Sequence, residues 1–540
     1  MSARALLVAM FALSIVYHSG NTCVAEQPQA ATGIIFRDNN ADGVLDDGDT
    51  RLGNVRVSNG REIVRTNERG EYELPVDDDT TIFVIKPRGM RAGLNKYNHP
   101  QFYYTHKPKG SPKSKFPGVA PTGELPKSID IALYPNQEPD RFKAILFGDP
   151  QPRNQREVDY IAHDVVEELI GSDASFGVTL GDIVFDNLAL FEPQASAIAM
   201  IGVPWFNVVG NHDLNLDSKD DKHSDETFER HFGPNYYSFD HGDVHFLVLD
   251  DVEWYFDDKA NDGKGKGTYR GGIDDRQLEF VKNDLAMIPK EQLLVIMMHV
   301  PLNEVGNRKK LYRLIEKRPA CISIAAHTHT NEHRMITSED GWKGAEPHRH
   351  IVNVTVSGSW WSGARDERGI PHATMTDGAP NGYSIIDFDG SQYRLTYKAA
   401  GKPADYQMAV YFPNEVQKSE LGETPLWVNV FNGTDESTVE YRIDGDWNWV
   451  SMEQTLANDP QMEKLMKAEA EVLAKFEYEK GDEPFRKIPN LRPSKHLWKS
   501  TLPDSLDVGA HKIHVRTTDM YDRVYNSHKL IRVTEQDTTE

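Results

Sequence analysis

Five short apolar segments between residues 144 and 326 each end in a cluster of polar residues. Segments of this kind are typical of buried strands, and helical periodicity separates them at residues 158–169 and 277–285. Strands that alternate with helices predict an α/β layered domain, which we expect at residues 141–398. The polar clusters are Asp149-Pro150-Gln151, Gly181-Asp182, Gly210-Asn211-His212-Asp213, His299-Val300-Pro301 and His327-Thr328-His329.

Side chains at the carboxyl ends of strands in such domains converge on a ligand. The clusters combine carboxylates, a carboxamide and imidazoles, a donor set that suits Mn, Fe or Zn. Each cluster alone has a simpler interpretation: Asp182 could cap a helix, and His299 could be a hydrogen-bonded core histidine. Five strand ends that all carry ligand-type residues favour a metal site instead.

The order and spacing of these motifs resemble the calcineurin-like metallophosphoesterase superfamily over residues 143–397. The resemblance implies a four-layer α/β/β/α β-sandwich as the central domain. It also implies two divalent or trivalent metal ions, Mn, Fe or Zn. The resemblance implies that Asp182 bridges the two ions, that Asp149, Gln151 and His329 hold the first, and that Asn211, His299 and His327 hold the second.

The resemblance places His212 beside the metal pair, where it stabilises phosphoryl oxygens or protonates the leaving alkoxide. A phosphoester is anionic, so two cations that neutralise its oxygens and activate a water make attack feasible, and an imidazole supplies the proton. Asp186 or Asn187 is expected to position His212, although the family's acidic residue usually comes one place earlier. Gln151 stands where the family usually has His.

Further along, Trp360 and Trp361 are interpreted as a wall of the substrate cleft, with core packing as the alternative.

The regions on either side of the α/β domain have strand patterns. Short strand patterns between Gly, Asp and Pro turns predict a sandwich at residues 31–136. A second β-rich domain is expected at residues 401–536, with a helical insert at 460–478. The whole chain resembles a bacterial three-domain arrangement of this superfamily, so we expect the α/β domain to be flanked by two small β-rich domains.

An acidic loop in the first domain has the spacing of a calcium site, with oxygen donors at alternate positions and a glycine for the turn. Its flanks look like strands, so it is not an EF-hand. An acidic, solvated turn is the alternative interpretation. The expected calcium ligands are Asp38, Asn40, Asp42, Asp46 and Asp49.

The N-terminus predicts a signal peptide at residues 1–25, because Arg4 precedes an apolar run too short to span a bilayer. An uncleaved anchor or a buried strand is the alternative. We therefore expect a secreted or periplasmic protein with no membrane span after signal removal. Two cysteines, Cys23 and Cys321, exclude a disulfide framework.

A formal net charge of −23 repels the phosphate backbone, so general nucleic-acid binding is not expected. The expected partner is a small phosphorylated substrate or an envelope component. We expect metal-dependent hydrolysis of a phosphomonoester or phosphodiester outside the cytoplasm. The alternative is an extracellular adhesive or glycan-binding protein whose phosphoesterase-like domain is inactive.

Overall fold

A computed structural model of the chain describes residues 29–259, 265–478 and 483–535. The predicted signal peptide at residues 1–25 lies outside the described residues. Within these ranges, no helix combines the length and the apolar character that crossing a bilayer requires. The described residues form three regions along the chain, and the boundaries expected at 31–136, 141–398 and 401–536 stay predictions.

The first region is built from two packed sheets. The apolar side chains of Ile35 and Leu133 in one sheet meet Val57 and Ile82 of the other in a single core. Five strands run in the order β2-β1-β10-β7-β8 with β5 added to β1, and the second sheet has the order β4-β3-β6-β9. The strands are β1 (Gln29–Arg37), β2 (Thr50–Arg51), β3 (Arg56–Ser58), β4 (Ile63–Arg65), β5 (Glu71–Val76), β6 (Thr80–Ile85), β7 (Met90–Leu94), β8 (Pro100–Gln101), β9 (Tyr103–His106) and β10 (Ile131–Pro135).

The central region contains two larger sheets that pack face to face. Their orders are β13-β12-β11-β22-β23 and β14-β15-β18-β19-β21-β20, and a separate hairpin joins β16 to β17. These strands are β11 (Arg141–Phe147), β12 (Phe176–Leu180), β13 (Trp205–Val208), β14 (Tyr237–His241), β15 (Val244–Val248), β16 (Val252–Asp257), β17 (Lys266–Gly271), β18 (Leu293–Met297), β19 (Cys321–Ala325), β20 (Glu332–Ile336), β21 (His348–Val352), β22 (Gly382–Asp389) and β23 (Gln392–Ala399).

Aromatic side chains fill the space between these two sheets. The Phe176 ring of β12 lies 5.2 Å from the Phe246 ring of β15, centroid to centroid. Helices cover the outer faces, which gives the four-layer arrangement that the family resemblance implied. A side-chain cap starts the first of them, where Asn154 accepts a hydrogen bond from the Glu157 N–H. The helices are α1 (Gln155–Ile161), α2 (Phe191–Ala199), α3 (Glu226–Phe232), α4 (Asp275–Leu285) and α5 (Arg308–Ile315).

Parallel pairing sets the position of the site. Strands β11, β12 and β13 are parallel neighbours, and β15, β18, β19 and β21 are parallel in the second sheet. All five residues of β12 and of β18 are buried, as expected for parallel strands covered on both faces. The carboxyl ends of these strands therefore deliver their following loops to one edge of the sandwich.

The third region is also built from two sheets, with the orders β24-β26-β30-β29 and β25-β32-β31-β27-β28. Leu426 and Val428 of one sheet pack against Val515 and Val533 of the other. The elements are β24 (Met408–Tyr411), β25 (Glu415–Gln417), β26 (Pro425–Val430), β27 (Thr438–Ile443), β28 (Val450–Ser451), β29 (Glu453–Gln454), α6 (Pro460–Leu473), β30 (Leu497–Thr501), β31 (Gly509–Thr518) and β32 (Val524–Thr534).

A buried ionic network joins the first region to the central one. Arg56 of β3 pairs with Asp240 at 2.5 Å and with Asp284 at 3.1 Å. The imidazole of His245 lies between the same carboxylates, 2.7 Å from Asp240 and 2.8 Å from Asp284. Burial opposes charge on this imidazole, but the two carboxylates outweigh burial and raise the pKa of His245 to about 9. The charged histidine is therefore part of the interface at neutral pH.

We predict that the stabilisation supplied by His245 disappears in alkali. Its pKa in the folded protein lies above the unfolded value of 6.5, so its contribution is complete below about pH 6.5 and is lost as pH rises through about 9. The loss is on the order of 3 kcal/mol for a change of this size in pKa. The measurement is the free energy of unfolding of the protein and of His245→Gln between pH 6 and pH 10.

The difference between these two proteins should shrink across that range. His163→Gln serves as the control, because His163 pairs with Glu167 on the exposed surface. A difference between the protein and His245→Gln that stays constant from pH 6 to pH 10 would contradict this account.

Candidate metal centre

The loops that follow the strands carry backbone conformations that side chains rarely adopt. Asp149, Asp182, His327 and His329 have φ angles of 38°, 50°, 69° and 54°. A non-glycine residue in this left-handed region costs free energy and persists where the surrounding structure enforces it, which is common at functional sites. Gln151 has a φ angle of 43°, so the strain falls on five of the seven residues that the sequence predicts as metal ligands.

Asp182 lies at the centre of the converging loops. One of its carboxylate oxygens accepts the backbone N–H of His212 at 2.9 Å and lies 3.3 Å from Nε2 of His299. Its other oxygen accepts a hydrogen bond from the side-chain amide of Gln151. The side chain is 1% exposed. A carboxylate reached from three loops in this way has the placement that a bridging ligand requires.

A first group of ligand-type side chains lies next to Asp182 and contains two imidazoles and one amide oxygen. Nδ1 of His299 donates to the carbonyl of Leu180 at 2.9 Å, which leaves Nε2 directed into the site. That nitrogen lies 3.1 Å from Oδ1 of Asn211 and 3.2 Å from Nδ1 of His327. Ligand atoms of Asp182, His299 and His327 all fall within 4.8 Å of one another. These residues are close enough to share one cation.

A second group of ligand-type side chains consists of Asp149, Gln151 and His329. Nδ1 of His329 donates to the carbonyl of Gly358, and its Nε2 lies 3.6 Å from Oδ1 of Asp149. Among the described residues, Nε2 of His329 and Oε1 of Gln151 are buried without a hydrogen-bond partner. Buried polar atoms without partners are costly, and both atoms are metal-ligand types. The site therefore fits a metal ion on chemical grounds.

The charges in the site are unevenly distributed. Burial raises the pKa of Asp149 to about 8 despite the attraction of His299. Burial also acts on Asp182, but His299 and His212 outweigh it and hold its pKa below the ordinary value. Burial lowers the pKa values of His327 and His329 to about 3, so both imidazoles are neutral at pH 7. Neutral imidazoles have a lone pair to give to a cation.

His212 lies beside this group and not within it. Its Nδ1 contacts Oδ1 of Asp186 at 2.6 Å, and its ring stacks on Phe185 with a centroid distance of 4.1 Å. Burial opposes charge on His212, but Asp182 and Asp186 outweigh it and raise its pKa. Because Asp186 engages Nδ1, Nε2 is the nitrogen left for a substrate.

Two further carboxylates hold the loops together, and no role for them was predicted. Asp213 accepts the N–H groups of Ile183, Val184 and Gly210 at 2.9–3.1 Å. Asp251 accepts the N–H groups of His299 and of the residue after it, both at 3.1 Å. Asp213 stands inside the Gly-Asn-His-Asp motif, and Asp251 follows the strand at 245–249. These positions in the sequence were the signals that could have identified the two carboxylates.

Three family models match consecutive segments of the chain. The N terminal of Calcineurin-like phosphoesterase matches residues 39–118, Calcineurin-like phosphoesterase matches residues 142–331, and the C terminal of Calcineurin-like phosphoesterase matches residues 350–525. The chain belongs to the calcineurin-like phosphoesterases. The three models together match the three-domain layout that the sequence resembles.

Other comparisons add little to this assignment. No curated protein matches the chain. Among solved structures, the chain is similar to a purple acid phosphatase isolated from yellow lupin (Lupinus luteus) seeds, with 13% identity and a TM-score of 0.34. The match covers 64% of this chain and 66% of the plant protein, so the chain spans just under two thirds of that protein's length. Family membership rests on the three family models.

The two tryptophans of the phosphoesterase have different surroundings. Trp360 is half-buried and stacks on His329, with ring centroids 3.9 Å apart. Trp361 is 2% exposed, donates its indole N–H to the carbonyl of Pro150, and packs in the core with Tyr160. The expectation that both line the cleft is corrected for Trp361, because a ring enclosed in the core has no surface to offer a substrate.

The acidic loop lies between β1 and β2, as its sequence predicts. The carboxylate of Asp38 accepts the N–H groups of Ala41 and Gly43, both at 2.7 Å, and the hydroxyl of Tyr134 at 2.9 Å. Asn40 donates to Asp42 and to Asp46, both at 3.0 Å. These bonds shape the loop, and calcium binding by Asp38, Asn40, Asp42, Asp46 and Asp49 stays a prediction.

Side chains of the third region support the loop that carries the two predicted histidine ligands. Asp377 accepts the backbone N–H of Asn331, two residues after His329, at 2.7 Å. His496 contacts the same Asp377 oxygen at 3.1 Å and contacts Asn429 at 2.7 Å. All these side chains are buried. The third region is therefore part of the scaffold of the phosphoesterase site.

Gly210 provides a test of how tightly the centre is packed. A Cβ atom at this position would lie 2.0 Å from the backbone nitrogen of Asp182 and 2.4 Å from its carboxylate. We predict that Gly210→Ala displaces Asp182 and lowers stability by about 3 kcal/mol or more, as overpacking at a rigid site does. The measurement is the free energy of unfolding, together with Mn²⁺ affinity.

Gly422→Ala is the matched control, because its added Cβ would meet only an ordinary contact at 3.7 Å from Asp504. Equal stability and Mn²⁺ affinity for Gly210→Ala and the native protein would show that the Asp182 loop is not tightly constrained.

Proposed function

We propose that this phosphoesterase hydrolyses a phosphomonoester or phosphodiester at a centre of two metal ions. The observation that carries the proposal is the pair of buried ligand-type atoms without protein partners, Oε1 of Gln151 and Nε2 of His329. Gln151 contacts one carboxylate oxygen of Asp182 and His299 contacts the other, which supports two cation positions with Asp182 between them. The proposed ligands are Asp149, Gln151, Asp182, Asn211, His299, His327 and His329.

The metals supply one part of the chemistry: when bound, two cations neutralise the phosphoryl oxygens and lower the pKa of a water. The chain's own residues supply the rest. Strained backbone at Asp149 and Asp182 and the hydrogen bond from His299 to Leu180 hold the donors in place before substrate arrives. Such preorganisation removes part of the cost of reaching the transition state.

His212 is proposed as the proton donor to the leaving oxygen. Asp186 holds Nδ1, and the Phe185 ring fixes the plane of the imidazole, so Nε2 keeps one direction. A positioned imidazole of this kind contributes roughly 10²–10⁴-fold to rate when the leaving group is poor. Trp360, stacked on His329, is proposed as a wall of the substrate cleft.

The substrate and location are proposed from the sequence. A net charge of −23 repels polyanions, but bound cations reverse the local field, so a small phosphorylated substrate or an envelope component is proposed. The signal-type N-terminus supports a location in the periplasm or outside the cell. General nucleic-acid binding is disfavoured by the same charge. The competing function, an adhesive or glycan-binding protein with an inactive centre, requires that the ligand set has decayed. A retained set of seven ligand-type residues speaks against that history.

Paired variants separate metal binding from proton donation. Asp182→Ala should lose both metals and all activity, because its carboxylate faces both groups of ligands. His212→Ala should keep the metals and lose about 10²–10⁴-fold in kcat on substrates with alkyl leaving groups. The measurements are metal content by mass spectrometry and hydrolysis of p-nitrophenyl phosphate, its bis ester and their methyl analogues with Mn²⁺.

His514→Ala is the control, since this histidine pairs with Asp444 at the surface of the third region. Loss of metal from His212→Ala would contradict its assigned role. Native protein that holds no metal, hydrolyses none of these esters and binds glycans would favour the adhesive alternative.

A further inference from the structure

Tyr269 borders the proposed metal centre, and no role was predicted for it. Its ring meets the ring of His327 edge to face, with centroids 5.9 Å apart and ring planes at 85°. His327 is one of the proposed ligands. Tyr269 is also 37% exposed, so an aromatic side chain that touches the centre keeps a surface open to solvent.

The hairpin of β16 and β17, which carries Tyr269, is attached at its base to the turns of the metal centre. Asp251 precedes the hairpin and Gly272 follows it, and the N–H of Gly272 donates to the carbonyl of Asp251 at 2.9 Å. The carboxylate of the same Asp251 accepts the N–H of His299. The position of Tyr269 beside the centre is therefore set by the fold.

The two faces of this hairpin have different surroundings. Tyr269 is paired with Trp254 in the strand register, so their side chains lie on the same face. Trp254 is buried and donates its indole N–H to the carbonyl of Ser218 at 3.1 Å, which attaches this face to the central region. Successive side chains alternate between faces, so Tyr255 lies on the other one, where Arg270 covers its ring at 4.3 Å.

A second aromatic ring has a comparable position. Trp360 is half-buried and stacks on His329, the other histidine of the His-x-His motif. Both histidines of this motif therefore have an aromatic ring against them. The alcohol part of a phosphoester is bonded directly to the phosphorus atom, so it lies within a few ångströms of the centre and meets the side chains that border it.

The open surface of Tyr269 favours one kind of alcohol. Aromatic rings attract one another in offset or edge-to-face arrangements, and this geometry adds to the binding that apolar burial provides. An aryl group or a nucleobase can form such a contact. A ring that is not flat buries apolar area without it.

We propose that Tyr269 is a substrate-binding residue, and that the alcohol part of the substrate carries a flat aromatic ring that stacks on it. This inference deepens the proposed function and rests on it. The hairpin would then contribute to the choice of substrate, while the metal ligands act on the phosphoryl group that all substrates share.

The test compares esters that differ in one ring. 2-Phenylethyl phosphate is compared with 2-cyclohexylethyl phosphate, and uridine 5′-phosphate with methyl β-D-ribofuranoside 5-phosphate. We expect kcat/KM to favour the member with the aromatic ring by about 2–10-fold in at least one pair, as a stacking contact does. The pair with the larger preference shows whether an aryl group or a nucleobase is the better ring.

Two variants assign this preference to the ring of Tyr269. Tyr269→Leu should abolish the preference, whereas Tyr269→Phe should keep it, because only the first loses the ring. Tyr255→Leu is the matched control, since it makes the same substitution on the other face of the hairpin and should leave the preference unchanged. Metal content by mass spectrometry checks that the centre of each variant is intact.

Equal kcat/KM within both pairs, or a preference that survives in Tyr269→Leu, would overturn the inference. A preference lost in Tyr269→Phe would assign the effect to the hydroxyl group and would also overturn stacking.

The proposed function fails in a different way, by absent hydrolysis of all four esters. Calorimetric binding of 2-phenylethylphosphonate and 2-cyclohexylethylphosphonate to Mn²⁺-loaded protein then repeats the comparison without turnover. Tighter binding of the phenyl compound that disappears in Tyr269→Leu would still support stacking, and equal binding would overturn it.

Discussion

The burial of the Asp182 carboxylate is the constraint on which the rest of this structure depends. A charged oxygen that is removed from water must be compensated by hydrogen bonds and opposite charge. Asp182 obtains this from the His212 N–H, the Gln151 amide and the His299 imidazole, each supplied by a different loop. Those loops can meet only because parallel strands bring their carboxyl ends to one edge of the two sheets.

Bringing the loops together requires left-handed backbone at several residues, and hydrogen bonds to other residues maintain that conformation. The Asp213 carboxylate accepts hydrogen bonds from three backbone N–H groups of the turns at residues 181–184 and 210. The Asp251 carboxylate accepts two from the turn after β18. Asp377 accepts one backbone N–H from the loop after β19, and His496 contacts the same carboxylate oxygen. The left-handed residues of the site are thus held by buried hydrogen bonds that include the third region. Its contacts make the β-rich third region part of the scaffold of the site.

Much of the central fold and of the site could be predicted from the sequence, because the residues that indicate them are neighbours in the chain. Apolar runs identified the central strands, and the residues just after them identified the converging side chains. The fold class followed from the same motifs, and the two flanking β-rich domains followed from short strand patterns before and after them. The contacts of Asp213, Asp251 and His496 could not be predicted, since they depend on pairs such as Asp377 and His496 that are far apart in sequence. The burial of Trp361 next to the half-buried Trp360 could not be decided from the sequence either, because two adjacent residues in left-handed backbone do not follow strand or helix periodicity.

The central claim is that Asp182 lies between two cations. The most direct measurement is a crystal structure of Mn²⁺-loaded protein with anomalous diffraction recorded at the manganese edge. The account predicts two anomalous peaks, one on each side of the Asp182 carboxylate, with His329 next to one and His299 with His327 next to the other. A map with no peak beside Asp182, or with peaks only at other acidic clusters, would contradict it.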